Sequence, residues 1–226
     1  MYLGLLCGGL YSCNDDPTPL PTSKNFITKY QNPVSICAIV SGSLETSVPT
    51  ETYNVVSLQI RPYENTEDCF TKDLVDEAQF EGLAAQFKDT DFNGAYYLNI
   101  PVMYVQTESL NIVSDNDYDA AHPAGIPLND LCNVFYLCVD DILANSYRFT
   151  LTAQQKENKW SAGYFEKSIT EFNREKPTLV AFDFRIQPIF RPAVPGTHRF
   201  TVTYKNIDGK ELSVTTEPLN LAGRAG

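Results

Sequence analysis

Three carboxylates stand at every second position in Asp115-Asn116-Asp117-Tyr118-Asp119, a spacing by which calcium loops gather hard oxygen ligands around one ion. The match to an EF-hand loop then breaks down. Ala120 occupies the place of the glycine that makes the sharp turn, and Ile126 stands where the bidentate glutamate belongs. Asp115, Asp117 and Asp119 are thus a weak calcium candidate. The better reading is a solvated turn, running on through His122-Pro123-Ala124-Gly125, whose Asp side chains cap local backbone amides. The two histidines, His122 and His198, lie far apart in the chain, and no Gly-x-Ser-x-Gly elbow supplies a nucleophile for either. A His-Glu-x-x-His zinc motif, a phosphate-binding glycine loop and the dinucleotide fingerprint are absent as well. Cys132 and Cys138 have no histidine nearby, so zinc spacing is absent too. The sequence therefore assigns no catalytic residue, no cofactor and no metal.

Two chemistries need less of a motif. Glycoside hydrolysis asks only for two carboxylates at the right separation. The adjacent pair Asp140-Asp141 does not supply them, because neighbours on a strand point to opposite faces and a loop start is the simpler reading. Thirteen tyrosines and one tryptophan could offer flat faces to sugars, although tyrosines at strand positions usually serve the edge of a core.

The elements that would position these residues are mostly strands. Phe200, Val202 and Tyr204 alternate with polar neighbours, as do Leu212 and Val214 beyond Asp208-Gly209. A two-residue turn at Asp208-Gly209 would send the two apolar sets to opposite faces. A three-residue loop, Ile207-Asp208-Gly209, instead pairs Tyr204 with Leu212 and Val202 with Val214, with Gly209 in a left-handed bulge and Asn206 opening the turn. Further candidate strands are Val34 to Ser41, Val55 to Pro62, Leu98 to Gln106, Leu110 to Ser114, Val134 to Val139, Tyr147 to Thr152 and Leu179 to Phe190. Helical spacing occurs twice, in Phe80, Leu83, Ala84 and Phe87 and again in Trp160, Tyr164, Phe165, Ile169 and Phe172. The expected fold is mainly β, an immunoglobulin-like antiparallel β-sandwich with one or two short helical insertions.

Seventeen Lys plus Arg against 28 Asp plus Glu give a net charge of −11, which repels phosphate backbones and argues against a nucleic-acid partner. The stretch from Tyr2 to Tyr11 is about half of the ~20 apolar residues that a membrane-spanning helix needs. Its leucines and glycines match the apolar segment of a secretory signal peptide instead. No basic residue precedes that segment, which suggests that Met1 lies inside a longer signal or that the start has been trimmed. Leu10-Tyr11-Ser12-Cys13 resembles the bacterial lipobox, with an aliphatic residue three before the cysteine and a small one directly before it. That resemblance implies lipidation of Cys13. Asn14-Asp15-Asp16 and the prolines Pro17, Pro19 and Pro21 follow, an acidic start and an extended spacer similar to those of Bacteroidetes-type lipoproteins.

From Leu98 onward, the order of Asp115-Asn116-Asp117-Tyr118-Asp119, His122-Pro123-Ala124-Gly125, Gln187-Pro188, Gly196-Thr197-His198-Arg199-Phe200-Thr201-Val202 and the Asp208-Gly209 turn resembles an uncharacterised family of such lipoproteins. The family has no assigned function and carries no catalytic residues over. The chain is accordingly divided into a signal peptide over 1–12, a lipidated tether over 13–25 and an ectodomain over 26–226. The expectation is a non-catalytic binding or scaffold protein, held in the outer membrane by its lipid and displayed at the surface, or facing the periplasm. Its partner would be an envelope protein or a glycan; a fimbria-associated adhesin and a carboxylate-based glycosidase are the alternatives. An exported compartment permits disulfides among Cys37, Cys69, Cys132 and Cys138 in three pairings, with buried free thiols as the simpler reading.

Overall fold

Period-two burial organises this chain. The computed structural model describes residues 22–44, 51–62, 69–71, 77–94, 98, 100–180, 183–188 and 191–224; Cys7, the lipobox with Cys13, and the spacer through Pro21 lie outside them. The strands are β1 (Lys29–Gln31), β2 (Ile36–Leu44), β3 (Tyr53–Pro62), β4 (Cys69–Thr71), β5 (Val102–Met103), β6 (Thr107–Ser114), β7 (Cys132–Leu137), β8 (Tyr164–Ser168), β9 (Phe184–Pro188), β10 (Gly196–His198), β11 (Phe200–Asn206), β12 (Glu211–Thr215) and β13 (Leu219–Leu221). The helices are short: α1 (Glu77–Gln86), α2 (Asp140–Ala144), α3 (Ala153–Glu157) and α4 (Ile169–Glu175).

The protein is mainly β. A seven-stranded sheet runs β10-β13-β3-β9-β7-β8, with β2 paired to β3, and a three-stranded sheet runs β12-β11-β6. One core lies between them. Val56, Leu58 and Ile60 of β3, Phe184 and Ile186 of β9, and Val134 and Tyr136 of β7 meet Leu110, Ile112, Val202 and Tyr204 of the smaller sheet, while Phe172 of α4 joins the same cluster. These two facing layers make the β-sandwich. A second core gathers Phe26, Tyr30, Phe80, Ala84, Val102, Leu137 and Ile142 around a small sheet, β4-β1-β5, in which β1 and β5 run parallel.

Hairpin β11–β12 takes the three-residue-loop register, with Tyr204 opposite Leu212 and Val202 opposite Val214. Gly209 sits at φ +82, and Asn206 Oδ1 accepts the backbone N–H groups of Asp208 (3.1 Å) and Lys210 (2.9 Å). Helix α1 buries Phe80 and Ala84, two of the residues whose spacing marks it.

Other expectations change. Tyr147 to Thr152 is not a strand: Ser146 and Tyr147 adopt φ of 50 and 63, which no strand accommodates, and Thr152 instead caps α3 in a reciprocal box with Gln155. Within Leu98 to Gln106 only β5 forms a strand, with Leu98 making an isolated bridge to Ile27. The second helical pattern is split. Gly163 turns at φ +86, where a Cβ would stand 2.9 Å from the Cys138 carbonyl oxygen, and the chain then pairs with β7 as β8. The helix begins only after Ser168, whose hydroxyl accepts the Glu171 N–H. Of the strand expected over Leu179 to Phe190, the described residues form β9 and isolated bridges at Leu179 and Val180, and residues 181–182 and 189–190 lie outside the description. Cys37, Cys132 and Cys138 are free thiols. Burial pushes the Cys132 and Cys138 thiols up to about 12, which keeps them protonated and inert.

Ser23, inside the stretch assigned to the tether, packs against the fold, its N–H meeting the Gly94 carbonyl at 3.0 Å. Fully buried Asp89 then holds the entering chain, accepting the N–H of Phe26 at 2.8 Å and of Ile27 at 2.7 Å. Each amide left unpaired in a dry core costs about 1–3 kcal/mol. Asp89→Ala is therefore expected to lower unfolding free energy by about 2–5 kcal/mol, and Asp89→Asn, which keeps one acceptor, by less. Urea denaturation followed by fluorescence measures both.

Candidate functional site

The structure collects the loop residues singled out above at one end of the sandwich, where β6 stops and β11 starts. It does not turn the three carboxylates toward a common point. Asp115 Oδ1 accepts the N–H of Arg199 at 2.7 Å, and Asp117 Oδ1 that of Ala124 at 2.9 Å. Asp119 Oδ1 accepts those of Ala121 and His122, each at 3.0 Å. Each carboxylate thus serves a different backbone segment, and no group of three or more His, Cys, Asp or Glu among the described residues could hold a metal ion.

Both histidines belong to this cluster, with opposite electrostatics. The His122 ring lies between two carboxylates, Nδ1 at 2.7 Å from Asp119 Oδ1 and Nε2 at 3.0 Å from Asp130 Oδ1. Only the imidazolium can donate to both carboxylates at once, so this pair of acceptors favours the protonated ring. The hydrogen bond to Asp119, then that to Asp130, holds its pKa above the ordinary value, and the same bond holds the Asp119 carboxyl below its own. Asp119 Oδ2 also takes the Arg224 guanidinium at 3.1 Å, and Arg224 Nε donates to the Arg191 carbonyl. His122, Asp119 and Arg224 together latch the chain after β13 onto the loop after β6.

His198 is 1% exposed, and burial holds its pKa below the ordinary value. Its Nδ1 is 2.8 Å from Ser114 Oγ. A serine–histidine pair invites comparison with hydrolases, but Ser114 is itself 2% exposed and no carboxylate orients the ring through Nε2. The pair cannot present a nucleophile to a substrate. Asp140 and Asp141 open α2, where Asp140 Oδ2 accepts the Thr178 N–H, so they too serve the backbone.

The chemistry left unspent lies elsewhere, on the outward face of the large sheet. Antiparallel register aligns Ile39, Gln59, Arg185, Phe135 and Glu166 in one row across β2, β3, β9, β7 and β8. Beside that row is a cleft of about 300 Å³ lined by Gln59, Phe135, Tyr164, Asp183 and Arg185, with Ile100, Leu137 and Val180 at its apolar end. Tyr164 stacks on Phe135 with centroids 5.5 Å apart and planes 14° from parallel, and Trp160 meets Phe135 edge-on at 5.1 Å. All three rings are half-buried. Asp183 is held by Gln59 Nε2 at 2.9 Å and Arg61 Nε at 3.3 Å. Among the described residues the exposed Arg185 side chain meets neither a carboxylate nor a hydrogen-bond acceptor. Sequence reasoning missed this group because its members come from four distant segments. The sole signal was the lone tryptophan.

No family model, no curated protein and no solved structure matches this chain.

The latch makes stability depend on pH. His122, raised when folded, contributes in full below its ordinary value of 6.5 and loses that contribution as pH rises through the raised one. Asp119, depressed when folded, contributes above 3.8 and fails only as pH falls through its lowered value. His198, depressed by burial, is neutral in both folded and unfolded chains well above 6.5 and adds no slope there. The urea midpoint of the wild type should thus decline as pH rises from 6.5 through the raised His122 value. In His122→Gln it should start lower and stay flat.

Proposed function

We propose that this chain is a non-catalytic glycan-binding protein of the bacterial envelope, held to the outer membrane by a lipid on Cys13, with its ligand in the cleft of Gln59, Phe135, Tyr164, Asp183 and Arg185. The cleft carries this reading. Half-buried aromatic rings offer flat apolar faces to the C–H faces of sugar rings, and the planar polar groups around them match hydroxyl pairs. The guanidinium of Arg185 has its donor fork free for vicinal hydroxyls or a uronate. In a chain of net charge −11, a cation with no partner among the described residues is a directed contact for something outside the chain. His122, and the carboxylates singled out in the sequence, are by contrast engaged with the fold itself.

The anchor reading is supported by Leu10-Tyr11-Ser12-Cys13 and by the acidic, proline-bearing stretch behind it. Several acyl chains on one cysteine would give the multiple insertion that stable anchoring needs. A second reading, an adhesin that pairs strands with a neighbour, is favoured by β2. This nine-residue strand, Ile36–Leu44, carries no charge and no proline, and among the described residues its sole strand partner is β3. Open edges of that kind are where added strands dock.

Two measurements test these readings. Affinity electrophoresis of the full chain through neutral and uronate-bearing polysaccharides should show retardation by at least one, and Phe135→Ala or Arg185→Ala should weaken it about tenfold, or about 1.4 kcal/mol. No retardation by any polysaccharide sinks the glycan reading, and a strand-exchanged oligomer in solution would favour the adhesin. Separately, Cys13→Ala should move the protein from the membrane fraction to the soluble one; unchanged fractionation refutes the anchor.

A further inference from the structure

A second cavity, of about 390 Å³, opens between the loop after β6 and the segment leading into β10. Its walls include Ala120, Ala193, Val194 and Pro195, and Asn116, Gly196 and His198 line it as well. Val194 is 70% exposed, so an apolar surface stands open to water on that side. The His198 ring is fixed. It stacks on Phe200 with planes 9° apart, and Tyr118 meets it edge-on at 5.7 Å.

The hydrogen bonds around Ser114 decide which nitrogen carries the proton. Ser114 Oγ accepts the Asn116 N–H at 3.1 Å and lies 2.8 Å from His198 Nδ1; a hydroxyl that donates to Nδ1 leaves one buried group unpaired, Nε2–H, whereas the reverse tautomer leaves both the hydroxyl hydrogen and the Nε2 lone pair unpaired. The proton of the neutral ring is therefore on Nε2, a buried donor with no partner among the described residues. Buried polar groups are nearly always paired, so an orphan donor on a clamped ring beside a cavity calls for an acceptor from outside. Nε2 is turned toward Gly196 and Asn116: a Cβ at position 196 would stand 3.5 Å from Nε2 and 3.6 Å from Asn116 Nδ2.

We propose that this cavity binds the N-acetyl group of a neutral amino sugar, its carbonyl oxygen accepting the Nε2–H of His198 and its methyl packing on Ala193, Val194 and Ala120. The exposed rim carboxylate of Asp117 disfavours an anion and accepts from the amide N–H or a hydroxyl, while Asp119 is taken up by His122 and Arg224. A bare hydroxyl would satisfy the donor but leave the apolar wall in water. Asn116 is exposed; its side-chain amide donates to the Thr197 carbonyl at a long 3.3 Å and its Oδ1 accepts the neighbouring Asp117 N–H at 2.9 Å, so entry of the carbonyl exchanges the weaker of these two bonds. This site stands apart from the sheet-face cleft and does not depend on it.

The chain has two histidines, so side-chain proton–nitrogen spectra of the full protein resolve each ring, with His122 as an internal control. Titration with N-acetylglucosamine should shift the His198 Nε2 resonance saturably, leave His122 in place, and find no counterpart with glucose. Gly196→Ala adds a methyl at ordinary contact distance, at a position outside the left-handed region, and should weaken binding at least tenfold with both histidine spectra otherwise native. Equal response to glucose overturns the proposal, as does unchanged affinity in Gly196→Ala. So does a bound water on Nε2 that the acetylated sugar fails to displace.

Discussion

Strands β3, β9 and β7 are each constrained on both faces at once. Their inward residues, Val56, Leu58, Ile60, Phe184, Ile186, Val134 and Tyr136, must meet the smaller sheet, because leaving any of them in water costs roughly 1.5–3 kcal/mol. Since side chains alternate, that demand also dictates what faces outward. A slip by one residue in any pairing would bury Arg185 or Gln59 and expose Phe184 or Ile60. The row of Gln59, Arg185 and Phe135 is thus held in place by the core behind it.

The second core explains why the row becomes a cleft. Leu137, one step along β7 from the buried Tyr136, is also buried, because β1, β5, α1 and α2 pack over the sheet at that end. Where the covering layer stops, Ile100, Val180 and Tyr164 form a step against the open sheet, and the polar residues of β3 and β9 stand at its foot. Asp89 matters here at a distance. By accepting the amides of Phe26 and Ile27 it holds the chain that brings β1 into the covering layer.

The loop end of the sandwich is governed by the need to pair backbone groups. Asp115, Asp117 and Asp119 alternate in the sequence, yet their oxygens diverge because each accepts backbone N–H groups of a different segment. Carboxylates spent on amides and on His122 are poor ligands for an ion, since leaving those partners would orphan them. His198, buried beside Phe200, is the exception, with one ring nitrogen unspent among the described residues.

Local features were legible in the sequence because their causes are local. The β11–β12 register follows from alternation and from the conformational freedom of Gly209, and Phe80 with Ala84 marks the buried face of α1 through spacing alone. Composition and alternation were likewise enough for a mainly β chain. Tyr147 to Thr152 misled because alternation cannot register two successive left-handed residues, and Trp160 to Phe172 because helical spacing cannot see that β7 has an open edge for β8. The convergence of Gln59, Phe135, Tyr164 and Arg185, and of Ser114 with His198 across 84 positions, was decided by tertiary structure alone. Strand order is set by which apolar faces must share a core, and that sharing joins segments whose neighbours in the chain carry no trace of it.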